Sequence, residues 1–128
     1  MSVEFAYVVE TQKSFDDTVV SVLKSVEAKG WSLFGVYDVK ERLAAKGFVH
    51  EQLKIIEICS GKHANKLLKM NRLVSLCMPC KINIFSENGI VKIVGMNPSI
   101  MHQFFPEISK EEVNEVEKEI KEIIDNSK

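Results

Sequence analysis

The sequence predicts an α+β domain in which a mainly antiparallel sheet packs one face against helices. Three observations carry this reading. Runs of β-branched and aromatic residues alternate with two well-capped amphipathic helices, an Asn-Gly pair joins two of the strands, and the length of 128 residues suits one hydrophobic core rather than two. The order is strand, helix, then four strands with two short helical insertions, then a last helix. No repeat, linker or charge block divides the chain, so residues 1–128 are expected to form a single domain.

Residues 3–9 are rich in Val, Phe and Tyr and read as the first strand. Ser14, followed three residues later by Asp17, is an N-cap signal, and Phe15, Val19, Val22, Leu23 and Val26 recur at helical spacing until Lys29-Gly30 stops the run. Residues 31–37 form the second strand. Asp38 with Glu41 caps a short helix ending at Lys46-Gly47. Residues 53–59 (Leu-Lys-Ile-Ile-Glu-Ile-Cys) make the third strand, and Gly61 opens a short amphipathic segment with Ala64, Leu67 and Leu68 on one side. Residues 80–85 and 90–95 flank Asn88-Gly89 and are expected to pair as a hairpin. After Asn97-Pro98 comes an irregular apolar stretch, residues 100–105, and Ser109 with Glu112 then caps the last helix. The stripe of that helix, Val113, Val116, Ile120, Ile123 and Ile124, belongs either to the core or to a partner subunit.

Composition narrows the functional classes. The chain is 45% apolar and 27% charged with 3 Pro and 6 Gly, which excludes disorder and collagen-like architecture. Its uninterrupted apolar runs fall far short of the roughly 20 residues of a membrane-spanning helix. Glu4 stands where a secretory leader carries basic residues, so a cytoplasmic protein is expected. Three cysteines make no disulfide framework and fit a reducing compartment. A net charge of −1 gives no expectation of nucleic-acid or membrane binding. The charge is segregated, however. Residues 61–95 hold Lys62, Lys66, Lys69, Arg72, Lys81 and Lys92 against Glu87, whereas residues 96–128 hold eight acidic residues and four lysines. The basic residues lack interleaved aromatics for stacking bases, so this pattern is read as two segments that meet, within the chain or across a dimer.

Gly30-Trp31, Asp38-Val39-Lys40, Ile56-Glu57-Ile58-Cys59, Met78-Pro79-Cys80-Lys81 and Asn97-Pro98, in this order and spacing, resemble the Domain of Unknown Function 302 family over nearly the whole chain. The resemblance implies a fold similar to that of TATA-box-binding protein, in agreement with the order of elements above. Ser60-Gly61 follows Cys59 where the family has a polar residue and proline, and Met78 replaces its leucine. The family supplies no reaction, and the fold's name does not carry DNA binding to a chain without a basic saddle.

Cys59 and Cys80 match the family's two cysteine positions. One reading is a thiol site at the sheet edge whose pKa Lys81 and Lys62 lower electrostatically; the other is a pair of small residues packed at strand ends. Cys77-Met78-Pro79-Cys80 is a Cys-x-x-Cys, but it leads into a strand rather than a helix, unlike a thioredoxin-type site. Cys59, His63, Cys77 and Cys80 also have the spacing of a structural zinc site, although a domain this apolar folds without metal. His63 taken alone reads as a surface residue. His50 and His102 have no nucleophile or carboxylate partner in sequence, and no phosphate loop or hydrolase motif is present, so an ordinary hydrolase or nucleotide-binding enzyme is not expected, the balance leans away from an enzyme, and no cofactor is expected. Met70, Met78, Met96 and Met101 with Phe104 and Phe105 are candidates to line an apolar pocket. The expected function is a non-enzymatic, homodimeric module that holds a small anionic or apolar ligand between sheet and helices at Cys59, Pro79, Cys80 and Lys81. The alternative is a thiol-dependent redox or sulfur-handling protein using Cys59 and Cys80, and the zinc site is a third, weaker reading.

Overall fold

A computed structural model describes residues 4–128; Met1, Ser2 and Val3, to which the leader reading and the start of the first strand belong, lie outside it. The elements are β1 (Ala6–Thr11), α1 (Phe15–Ala28), β2 (Ser32–Asp38), α2 (Val39–Ala44), β3 (Leu53–Cys59), α3 (Gly61–Met70), β4 (Cys80–Glu87), β5 (Ile90–Met96) and α4 (Lys110–Asp125). Two 3-10 segments, Arg72–Cys77 and Pro98–Gln103, complete the chain. The five strands form one sheet in the order β1-β5-β4-β3-β2, with every neighbouring pair antiparallel. β4 is therefore the central strand.

Local sequence accounts for most of these boundaries. Ser14 Oγ accepts from Asp17 N at 3.1 Å, Asp38 Oδ1 from Glu41 N at 3.0 Å and Ser109 Oγ from Glu112 N at 3.2 Å, each satisfying a helix N-terminal amide. Asn88 and Gly89 have φ of 53° and 80°, the left-handed pair that a two-residue hairpin turn requires, and the β4–β5 ladder runs from Glu87↔Ile90 back to Ile82↔Gly95. The expected hairpin is present.

Alternation divides the sheet into two faces. Ile56, Ile58, Ile82, Ile84 and Ile93 point inward and are fully buried, with Tyr7 and Val9 of β1 beside them. From the helical layer, α1 contributes Phe15, Val19, Val22 and Val26, while Leu23 is half-buried against the same core. α4 contributes its whole stripe, Val113, Val116, Ile120, Ile123 and Ile124. That stripe is core and not a subunit surface. It approaches the sheet closely at Gly95, where a Cβ would stand 3.1 Å from Ile124 Cδ1. Val22 is 0% exposed, so Val22→Ala is expected to cost about 1–3 kcal/mol on urea unfolding, and a change near zero would remove α1 from the core.

The stretch expected to be irregular is ordered. Met101 is buried, Phe105 N donates to Met101 O at 2.8 Å, and Phe105 packs against the core while Phe104 projects 66% exposed. The other 3-10 segment buries Val74 completely and begins where Asn71 Oδ1 accepts from Leu73 N at 2.9 Å. Neither has a 3.6-residue or two-residue repeat, so neither leaves a periodic trace in sequence.

Candidate functional site

β3 ends and β4 begins at one end of the sheet, and the chain between them, α3 and the first 3-10 segment, returns over that end. A cis peptide bond joins Met78 to Pro79 just before β4. Beside it opens a cleft of about 300 Å³ lined by Leu76, Cys77, Pro79, Cys80, Lys81, Met96, Pro98 and Met101. Its walls come from three places: the first 3-10 segment, the adjacent ends of β4 and β5, and the start of the second 3-10 segment. Apart from Lys81 and the two thiols, every lining side chain is apolar.

A smaller hollow of about 30 Å³ lies on the other side of Pro79 and Cys80, among Trp31, Cys59, His63, Leu67, Met78 and Val116. The site expected from sequence is thus split. Pro79, Cys80 and Lys81 border the large cleft, while Cys59 borders only the small hollow. Cys80 lies on the central strand, opposite Ile58, and not at a sheet edge. Of the methionines, Met96 and Met101 line the cleft and Met78 the hollow. Met70 instead accepts from Ser109 N through its sulfur at 3.4 Å.

All three cysteines are free and half-buried. Cys80 as a residue keeps some exposure, but its sulfur lies in dense protein, and burial pushes its thiol from 9.0 up to about 12. The neighbouring thiol of Cys59 pushes in the same direction. The Lys81 ammonium pulls the other way, as sequence suggests, and is outweighed. Burial also raises the Cys59 thiol. Neither cysteine has the electropositive, accessible surroundings of a reactive thiolate.

Sequence reading missed the most polar construction in the protein. His63, on α3, is 3% exposed and lies between two carboxylates of α4: Nδ1 is 2.6 Å from Glu112 Oε1 and Nε2 is 2.5 Å from Glu119 Oε2. Both contacts are donor-to-acceptor bonds when both ring nitrogens carry hydrogen. Trp31 Nε1 donates to the other oxygen of Glu119 at 3.0 Å, and Lys66 Nζ is 3.7 Å from Glu112 Oε2. The hydrogen bond from His63 holds the Glu112 carboxyl below its ordinary value, against some desolvation and with help from Lys66. Burial alone would raise Glu119, and the hydrogen bonds from Trp31 and His63 override it and lower that group too. His63 is therefore a buried link between α3 and α4, not a surface residue.

Both ring nitrogens of His63 already face glutamate oxygens. Among the described residues no three His, Cys, Asp or Glu side chains are grouped as a metal ion requires. The charge segregation resolves in part within the chain, because His63 and Lys66 of the basic segment meet Glu112 and Glu119 of the acidic one. The sequence does contain a trace of this: Glu112 and Glu119 are seven residues apart, two helical turns, and so share one face of α4.

Fold and cleft together define a single-domain α+β protein with an apolar, lysine-bordered hollow at one end of a five-stranded antiparallel sheet. The family model described as "Domain of unknown function DUF302" matches residues 7–127, and the chain belongs to that family. It is similar over 98% of its length, and over all of the other chain, to the crystal structure of the uncharacterized conserved protein DUF302 from Bacillus stearothermophilus, with 26% identity and a TM-score of 0.93. No curated protein matches the sequence. No helix among the described residues is long and apolar enough to cross a membrane.

Proposed function

We propose that this protein is a non-enzymatic binding module that holds a small, elongated apolar molecule with one negatively charged end. The cleft at Pro79, Cys80 and Lys81 carries this reading. Its volume of about 300 Å³ matches the lower end of small-molecule sites, its walls are mostly apolar, and among the described residues Lys81 is the single cation lining it. Met96 and Met101 are unbranched and polarizable, so they adapt to the body of such a ligand. Lys81 supplies a charge partner at the rim, where solvent still reaches its ammonium. The packed, protonated Cys80 then acts as wall and not as nucleophile. Free cysteines and the absence of a membrane-spanning helix among the described residues support a cytoplasmic setting. The balanced charge gives no support to a nucleic-acid partner.

Octanoate is a suitable probe, with octanol as its uncharged counterpart. At a hundredfold excess over its Kd, octanoate is expected to raise Tm by about 5–10 °C. Octanol should do less, and Lys81→Gln should abolish the difference between the two. Met101→Trp, which fills the cleft, should remove both responses. Neither compound shifting Tm at saturating concentration would overturn the assignment of this cleft.

A further inference from the structure

α1 and α4 cover only one face of the sheet. On the other face three rows of side chains cross the strands. The middle row, read from the registers, is Val8–Val94–Asn83–Ile55–Tyr37. Above it lie Met96, Lys81 and Glu57, and below it Lys92, Phe85 and Leu53. Val8 is 51% exposed, Tyr37 36% and Met96 37%, and Ile55, Val94 and Phe85 are half-buried. α2 stands at one end of this face, where Val39 and Leu43 share a hollow with Leu53 and Phe85, and leaves the middle row open.

Asn83 sits at the midpoint of this surface, halfway along the central strand. Its Oδ1 is shut off from solvent and receives no hydrogen bond from any described residue. A buried carbonyl without a donor is costly, and a polar group among apolar neighbours, here Val94, Ile55 and Phe85, is a known device for fixing the register of two chains. The charges around it are arranged in the same sense. Glu57 and Lys92 occupy opposite corners about Asn83, one strand to either side and one row up or down. Each now has only a local partner: Tyr37 Oη donates to Glu57 Oε1 at 2.7 Å, and Lys92 pairs with the exposed Glu87 at 3.1 Å. Exposed pairs of this kind contribute little and rearrange easily.

We propose that the open sheet face binds a second copy of this chain, with Asn83 on the two-fold axis. A two-fold lying in the plane between the stacked sheets, along the other diagonal of this patch, from the Met96 corner to the Leu53 corner, brings Asn83 against its own copy. It also sets Glu57 opposite Lys92 of the second copy, and the reverse, while Ile55 meets Phe85. The strands of the two sheets then cross steeply, as in orthogonal sheet packing. Turning the terminal amide of each Asn83 lets Nδ2 of one copy donate to Oδ1 of the other, which supplies the missing donor. Such a contact is isologous, because the same patch serves both subunits.

The test is solution mass by light scattering, together with sedimentation equilibrium, on the full chain. The wild type is expected at twice 14.5 kDa at micromolar concentration. Asn83→Asp places two carboxylates on the axis and is expected to weaken association at least about tenfold. Glu57→Lys and Lys92→Glu should each weaken it, and the double exchange should restore it, a recovery that a folding defect cannot imitate. A wild-type monomer overturns the proposal. So does a dimer indifferent to Asn83→Asp and to both single exchanges, since it must then use another surface. The octanoate response is read separately, so failure of the cleft assignment leaves this result intact.

Discussion

His63→Ala is expected to lower stability by about 3 kcal/mol near neutral pH, a large loss for one side chain. Removing the imidazole does more than delete two hydrogen bonds. It leaves Glu112 and Glu119, with side chains only 15% and 19% exposed, facing the same vacated space. Glu119 keeps its bond from Trp31, and Glu112 keeps Lys66 at 3.7 Å, which limits the damage. The loss should depend on pH in a defined direction. Both carboxyls are held below their ordinary value of 4.5, so they stabilise the folded protein above that pH and lose the contribution as pH falls through the lowered folded-state values. The wild type therefore weakens in acid. In the alanine variant only the Trp31 bond to Glu119 and the Lys66 ammonium beside Glu112 still favour the ionised carboxylates, and protonation relieves their crowding. The stability gap between the proteins should accordingly be full at pH 7 and shrink in acid, as pH falls below 4.5 through those lowered values. Urea unfolding of both proteins across that range checks it. A gap under about 1 kcal/mol at pH 7, or one that widens in acid, would mean that the three side chains do not act as a unit.

That trio also shows which parts of the molecule the sequence exposes to reading. Caps, turns and strand alternation are local: Ser14, Asp38 and Ser109 each act on an amide three residues away, and Asn88-Gly89 closes a hairpin by itself. Such signals survive without knowledge of the rest of the chain. His63 meets its partners 49 and 56 residues later, and only the packing of α3 on α4 brings them together. Read alone, it looks like a surface histidine or a zinc ligand. The stripe of α4 was equally ambiguous, since periodicity says that Val113, Val116 and Ile120 share a face but not what covers it. The sheet supplies the cover.

The cleft was half legible. Proximity in sequence places Pro79, Cys80 and Lys81 together, and they do share one wall. Its other walls come from both 3-10 segments and the end of β5: Met96 and Met101 are among the residues whose composition suggests a pocket, whereas nothing in the sequence marks Leu76 or Pro98. Cys59 was grouped with Cys80 because they occupy neighbouring strand ends. The two do meet, in the small hollow with Trp31 and His63, but Cys59 does not reach the large cleft that Cys80 borders on its other side. Lys81 pulls the thiol in the direction its sequence position suggests, but one partly solvated ammonium does not offset removal of the sulfur from water.

That balance fixes the outcome of thiol labelling. In a variant retaining Cys80 alone, with Cys59→Ser and Cys77→Ser, alkylation of the native protein at pH 7 is expected to be at least about a hundredfold slower than in urea, because each step of one unit in thiol acidity removes a factor of ten in thiolate. Three such steps separate the ordinary 9.0 from about 12, and the two replacements remove only the smaller contributions of the neighbouring thiols, leaving the burial that dominates the shift. The pH dependence distinguishes a protonated thiol from a merely shielded one. A suppressed thiolate gives a native rate that keeps rising about tenfold per unit beyond pH 9, where the unfolded protein levels off, whereas a sterically blocked sulfur levels off with the unfolded one at a lower plateau. Octanoate in the cleft should slow the native reaction further, since Cys80 forms part of the wall it covers. Native Cys80 reacting as fast as the unfolded chain near neutral pH, or joining Cys59 in a disulfide under mild oxidant in the otherwise unaltered protein, would reverse the argument: the thiols would then be the chemistry of this site and the cleft their access route.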